Sequence, residues 1–78
     1  MSVLERINAH KKLINNLEEM IQINKDAMDD HFENSEFAVV MECKDAIIEM
    51  RQDQAKHRLH ICQLIRSGEC DYEAYDAN

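Results

Sequence analysis

Asp29-Asp30-His31-Phe32-Glu33-Asn34-Ser35 is a polar stretch set between two long segments of helical periodicity, and its reading decides the fold. Phe32 is its only apolar member, and its Asn and Ser are side chains that cap helices. A chain reversal near Glu33 and Asn34 follows, with Asn34 or Ser35 placed to start a second helix.

Upstream, Ser2-Val3-Leu4-Glu5 has the form of a capping box, in which hydroxyl and carboxylate each satisfy a backbone N–H left free at a helix start. From there Val3, Ile7, His10, Ile14, Leu17, Ile21, Asn24 and Met28 recur at the alternating three- and four-residue steps of a helix packed along another. Downstream, Val40, Cys43, Ile47, Met50, Gln54, His57, Ile61 and Leu64 repeat the pattern until Arg66-Ser67-Gly68 supplies a cation and a glycine suited to a C-terminal cap. The expected organisation is a hairpin over residues 1–68, with helix one at about 3–32 and helix two at about 36–67. Residues 69–78 form an acidic C-terminal tail. A break near Asn24-Lys25-Asp26, giving three shorter helices, is the alternative.

The two series match when folded back. Val3 comes opposite Leu64, Ile7 opposite Ile61, His10 opposite His57, Ile14 opposite Gln54, Leu17 opposite Met50, and Ile21 opposite Ile47. The residue numbers of facing partners add to a near-constant value, as one continuous antiparallel contact requires. The fold class is therefore all-α, a long two-helix antiparallel hairpin. Beside the seam run further apolar stripes, Leu13, Met20 and Ala27 on helix one and Met41, Ile48, Ala55 and Cys62 on helix two. A lone hairpin leaves both in water. They are read as a dimer interface, closing two copies into a four-helix bundle.

Composition narrows the class. In 78 residues, 45% hydrophobic and 32% charged, no apolar run approaches the ~18 residues of a membrane span, so neither a membrane protein nor a disordered chain is expected. With no secretory pattern at the start, the expected compartment is the cytoplasm. The three cysteines lack paired spacing and are read as reduced thiols. One glycine and no proline exclude the chemistry of phosphate loops and tight β-turns.

The net charge of −7 is unevenly spread. At the open end of the hairpin, residues 1–14 with 51–66, seven cations (Arg6, Lys11, Lys12, Arg51, Lys56, Arg58, Arg66) face two acids (Glu5, Asp53). Over residues 15–50 ten acids face two lysines, Lys25 and Lys44. An antiparallel dimer sets opposite charges side by side and is the expected arrangement.

Three sites carry possible chemistry. His10, Gln54 and His57, with His60 a turn further along, are read as a polar core layer that fixes register; a metal or proton-sensing role is the lesser reading, because no fourth ligand stands out. Arg6, Lys11, Lys12, Arg51, Lys56 and Arg58 form a basic patch able to follow a phosphate backbone. In outline this resembles the small plasmid RNA-binding proteins built as dimeric helical hairpins, without a shared motif. Asp26, Asp29, Asp30, Glu33 and Glu36, with Glu18 and Glu19, allow an acidic DNA mimic. No catalytic residue, metal ligand or cofactor is assigned, and an enzyme is not expected. The leading expectation is a small non-catalytic homodimer, an adaptor or regulator working through protein contacts, of the kind found among phage, prophage and plasmid accessory proteins. Nucleic-acid binding is the runner-up and the mimic third.

Overall fold

The computed structural model of the protein describes residues 2–67. Two helices, α1 (Val3–Glu33) and α2 (Phe37–Arg66), pack against each other as an antiparallel hairpin measuring 52 × 18 × 18 Å. No helix among the described residues is long and apolar enough to cross a membrane. Gly68, Cys70 and the acidic tail of residues 69–78 lie outside the described residues.

The start of α1 is set by Ser2, extended at φ −70° and ψ 161°, whose Oγ accepts from the Glu5 N–H at 3.1 Å. Glu5 sits in the first turn, where a carboxylate opposes the positive end of the helix dipole. The helix runs unbroken through Asn24, Lys25 and Asp26. Two side chains there bond locally: Gln22 Nε2 donates to Asp26 Oδ1 at 3.1 Å, and Asn24 Nδ2 donates to the Met20 carbonyl at 2.9 Å. Asn24 thus bonds within its own helix.

The turn is built differently from the capping expected. Asn34 closes α1, and Ser35 then takes a left-handed conformation at φ 59°. The Ser35 N–H donates to the Phe32 carbonyl at 3.0 Å, and the Glu36 N–H donates to the His31 carbonyl at 2.9 Å. These are the paired bonds of a Schellman motif, with serine at the position glycine normally fills. Neither Asn34 nor Ser35 caps α2. Glu36 stands there without a side-chain cap bond, because the residues that resembled N-caps are consumed in ending α1. Across the turn Phe32 and Phe37 meet edge to face, with ring centroids 6.0 Å apart.

Register is fixed by polar contacts along the seam. His10 Nδ1 lies 2.9 Å from His57 Nδ1, and Gln54 Nε2 donates to the Ile14 carbonyl at 3.1 Å. On either side of these layers, Ile7 and Ile61 toward the open end and Ile21 and Met50 toward the turn are buried. Four buried apolar side chains make a small core for two helices of 31 and 30 residues. Chains of this size commonly need further burial from a partner, a metal or a disulfide.

Candidate functional site

An antiparallel helix pair has two sides flanking its seam, and the contacts identify which residue lies on which. One side carries the Glu18–Arg51 ion pair at 2.7 Å, the Phe32–Phe37 contact, and a shallow cleft lined by Lys11, Ile14, Arg58, Ile61 and Cys62. The opposite side carries an open cleft of about 460 Å³ lined by Arg6, His10, His60, Gln63, Leu64 and Ser67.

Seven-residue steps along a helix in a seam of this kind return to the same side. From Arg6 they reach Leu13, Met20 and Ala27; from Cys62 they reach Ala55, Ile48 and Met41. The seven residues read from sequence as one dimer interface therefore divide between opposite sides of the hairpin. The physical reason lies in antiparallel geometry. A stripe beside the seam on one helix shares its side with the matching stripe on the other, and the α1 and α2 stripes occupy non-matching positions. From His60 the same steps reach exposed Asp53 and then Ala46 and Val39, both half-buried, so an acid and two small apolar residues, which the sequence reading passed over, lie beside the α1 stripe.

Burial along the seam favours one series of positions without closing either side. Ile7, Ile21 and Gln54 are fully buried and Ile61 is nearly so, all on seam positions that lean toward the Glu18–Arg51 side. Of the positions leaning the other way Met50 is buried, while His10, Leu17, Cys43, His57 and Leu64 are partly exposed. Both sides carry exposed apolar side chains: Leu13, Met20 and Ile23 on the His60 side, and Met41, Ile48, Phe32 and Phe37 on the other.

Gln54 shows how a buried amide is accommodated. Its Nε2 donates to the Ile14 carbonyl and to Glu18 Oε2 at 2.9 Å, while its Oε1 accepts from Arg51 at 3.1 Å. Every part of the amide has a partner, which removes most of the cost of burying it. The bond from Gln54, and then the Arg51 guanidinium, hold the Glu18 carboxyl below the usual carboxylate range. Gln54 thus belongs to a network with Glu18 and Arg51, separate from the histidines with which the sequence reading had grouped it.

The histidines form a cluster of their own. His57 and His60 stand one turn apart on α2, His10 faces them from α1, and the ligand-capable nitrogens of all three lie within 4.8 Å of one another. Ring centroids are 5.1 Å apart for His10 and His57 and 5.3 Å for His10 and His60. Burial, then the neighbouring imidazoles of His57 and His60 and the Arg6 guanidinium, lower the His10 pKa below the ordinary imidazole value. At the far end His31 Nδ1 lies 3.5 Å from a Glu36 carboxylate oxygen, well apart in sequence and height from this cluster.

The expected basic patch does not gather on one surface. Arg6 is on the His60 side, Lys11 and Arg58 are on the other, and Arg51 is committed to Glu18 and Gln54. Lys12 and Lys56 are exposed. No family model, curated protein or solved structure matches the chain. The molecule is, by class, a two-helix all-α hairpin with exposed apolar side chains on both sides of its seam and a histidine cluster at its open end.

Proposed function

We propose that the chain is a non-catalytic, self-associating helical hairpin that acts as an adaptor or regulator through protein contacts. The observation that carries this reading is the apolar surface beside the seam on the His60 side: exposed Leu13, Met20 and Ile23 next to partly exposed Leu17, Val39, Cys43 and Ala46, with Asp53 set among them. Small residues at Ala27, Val39 and Ala46 permit close approach of a second helix pair, while Leu13, Met20 and Ile23 supply apolar area for it to cover. The occupant proposed for this side is a second copy. Charge supports that choice, since the cationic open end and the acidic loop end are complementary when two hairpins lie head to tail. Apolar burial of ~25 cal/mol per Å² provides the affinity, and the charges choose the orientation.

Two substitutions test the reading. Met20 and Ile48 are both about half-exposed in the single hairpin, so an aspartate at either is compatible with folding. Met20→Asp should convert the dimer to a helical monomer in sedimentation equilibrium, whereas Ile48→Asp, on the opposite side, should leave it dimeric. A Met20→Asp dimer as tight as the parent would dispose of the proposed interface. Nucleic-acid binding finds less support, because its six cations are spread over both sides and one is engaged by Glu18. Retention of RNA or DNA that weakens in the Lys56→Ala, Arg58→Ala double variant would favour that reading instead.

A further inference from the structure

The 2.9 Å approach of His10 Nδ1 to His57 Nδ1 is a hydrogen bond that a single proton serves. One nitrogen carries that proton and the other offers it a lone pair. Two imidazole nitrogens aimed at one point from different helices mark a position that a metal ion can take in the proton's place. Zinc binds imidazole nitrogen at about 2.0–2.1 Å, so tetrahedral ligands stand roughly 3.3 Å apart. The nitrogens of His10 and His57 need to part by less than about 0.5 Å to reach that separation. His60 supplies the third, since its ligand nitrogen lies within 4.8 Å of the other two and its ring is exposed and free to rotate a further ångström or so inward.

Imidazole is a donor preferred by zinc, copper and nickel, and it binds only when neutral. His10 and His60 also line the cleft that contains Arg6 and Gln63, so in the single hairpin a fourth coordination position opens into that cleft. Arg6 there favours an anion or hydroxide over a neutral water as the fourth ligand.

We propose that His10, His57 and His60 form a tripodal site for a divalent late first-row metal ion, zinc foremost, with its fourth position open to the Arg6 cleft. The ion joins α1 to α2 near the open end, where the hairpin has no covalent link, and so acts as a clasp on the fold. The site lies within one chain and does not depend on self-association.

The test is titration of the tag-free full-length chain with zinc by calorimetry, with cobalt(II) absorption reporting coordination geometry. The expected result is one ion per chain, tetrahedral cobalt bands and a raised thermal midpoint. His60→Ala, at an exposed position, should weaken binding by about tenfold or more and abolish the rise in midpoint. Three variants should bind as the parent does: His31→Ala, remote from the cluster; Cys62→Ser, on the other side of the hairpin; and Met20→Asp, in the proposed dimer face. The proposal is overturned by absence of saturable binding up to about 100 µM zinc, by unchanged affinity in His60→Ala, or by loss of binding in any of those three.

Discussion

Ser35 is held at φ 59°, a left-handed conformation in which a Cβ is crowded by the following carbonyl. Glycine has no such penalty, although it gives up more chain entropy on folding. Ser35→Gly should therefore stabilise the hairpin by about 0.5–1 kcal/mol in chemical denaturation, a net of those two effects. A loss of stability would mean that the serine hydroxyl contributes at the turn. Gln54 makes the converse case. Truncation to alanine strips partners from the part-buried Ile14 carbonyl and from Glu18 and leaves a void, a cost of about 1–3 kcal/mol.

The histidine pair gives a pH dependence whose sign follows from the direction of the His10 shift. Its folded pKa is lowered from the ordinary 6.5, so in the window below 6.5 the unfolded chain binds the proton more readily than the folded one. Stability is complete above that value and declines as the pH falls through the window, levelling once the folded imidazole is also protonated. The facing charged groups, His57 and His60 on α2 and Arg6 on α1, act in the same direction. The denaturation midpoint should drop between about pH 7.5 and 5.5, and His10→Gln should flatten the profile. An equal slope in that variant would move the cause elsewhere.

At the scale of the helices, their order and their pairing were readable because each obeys one period. Continuous alternation of three- and four-residue steps from Val3 to Met28 and from Val40 to Leu64 matches two long helices in contact. The polar stretch at 29–35 correctly suggested a reversal. Its internal assignment was less legible. Asn and Ser serve equally at the end of one helix or the start of the next, and only backbone dihedrals distinguish a Schellman turn from an N-cap. The side of the seam on which a stripe falls was likewise hidden. Leu13 with Met20, and Ile48 with Cys62, look alike as sequence patterns; their separation onto opposite sides depends on the antiparallel sense of the pair. Contrasting Met20→Asp with Ile48→Asp tests that distinction directly.

For the whole molecule, a head-to-tail dimer makes a geometric prediction. α1 has 31 residues, which at 1.5 Å per residue gives a rod of roughly 46 Å. With the native cysteines replaced by serine, spin labels on Glu5→Cys should stand about 40 Å apart along the axis in a head-to-tail dimer, and well under that in a parallel one. Rising salt should weaken the preference, since exposed charge is screened over a Debye length of about 8 Å at physiological ionic strength. A short label distance would leave self-association standing while removing the charge argument for its orientation.

Sequence alone determined that this chain forms two helices with matched seams, because hydrophobic spacing is a one-dimensional property that local geometry turns into a face. It also placed His10 opposite His57, a consequence of the same register. Tertiary structure decided what lies around those faces: how closely His60 approaches the pair, that Gln54 instead bonds Glu18 and Arg51, and that the stripes beside the seam fall on opposite sides of it. Those outcomes depend on side-chain reach and on the handed geometry of two helices in contact, neither of which is a property of spacing along a single strand of sequence.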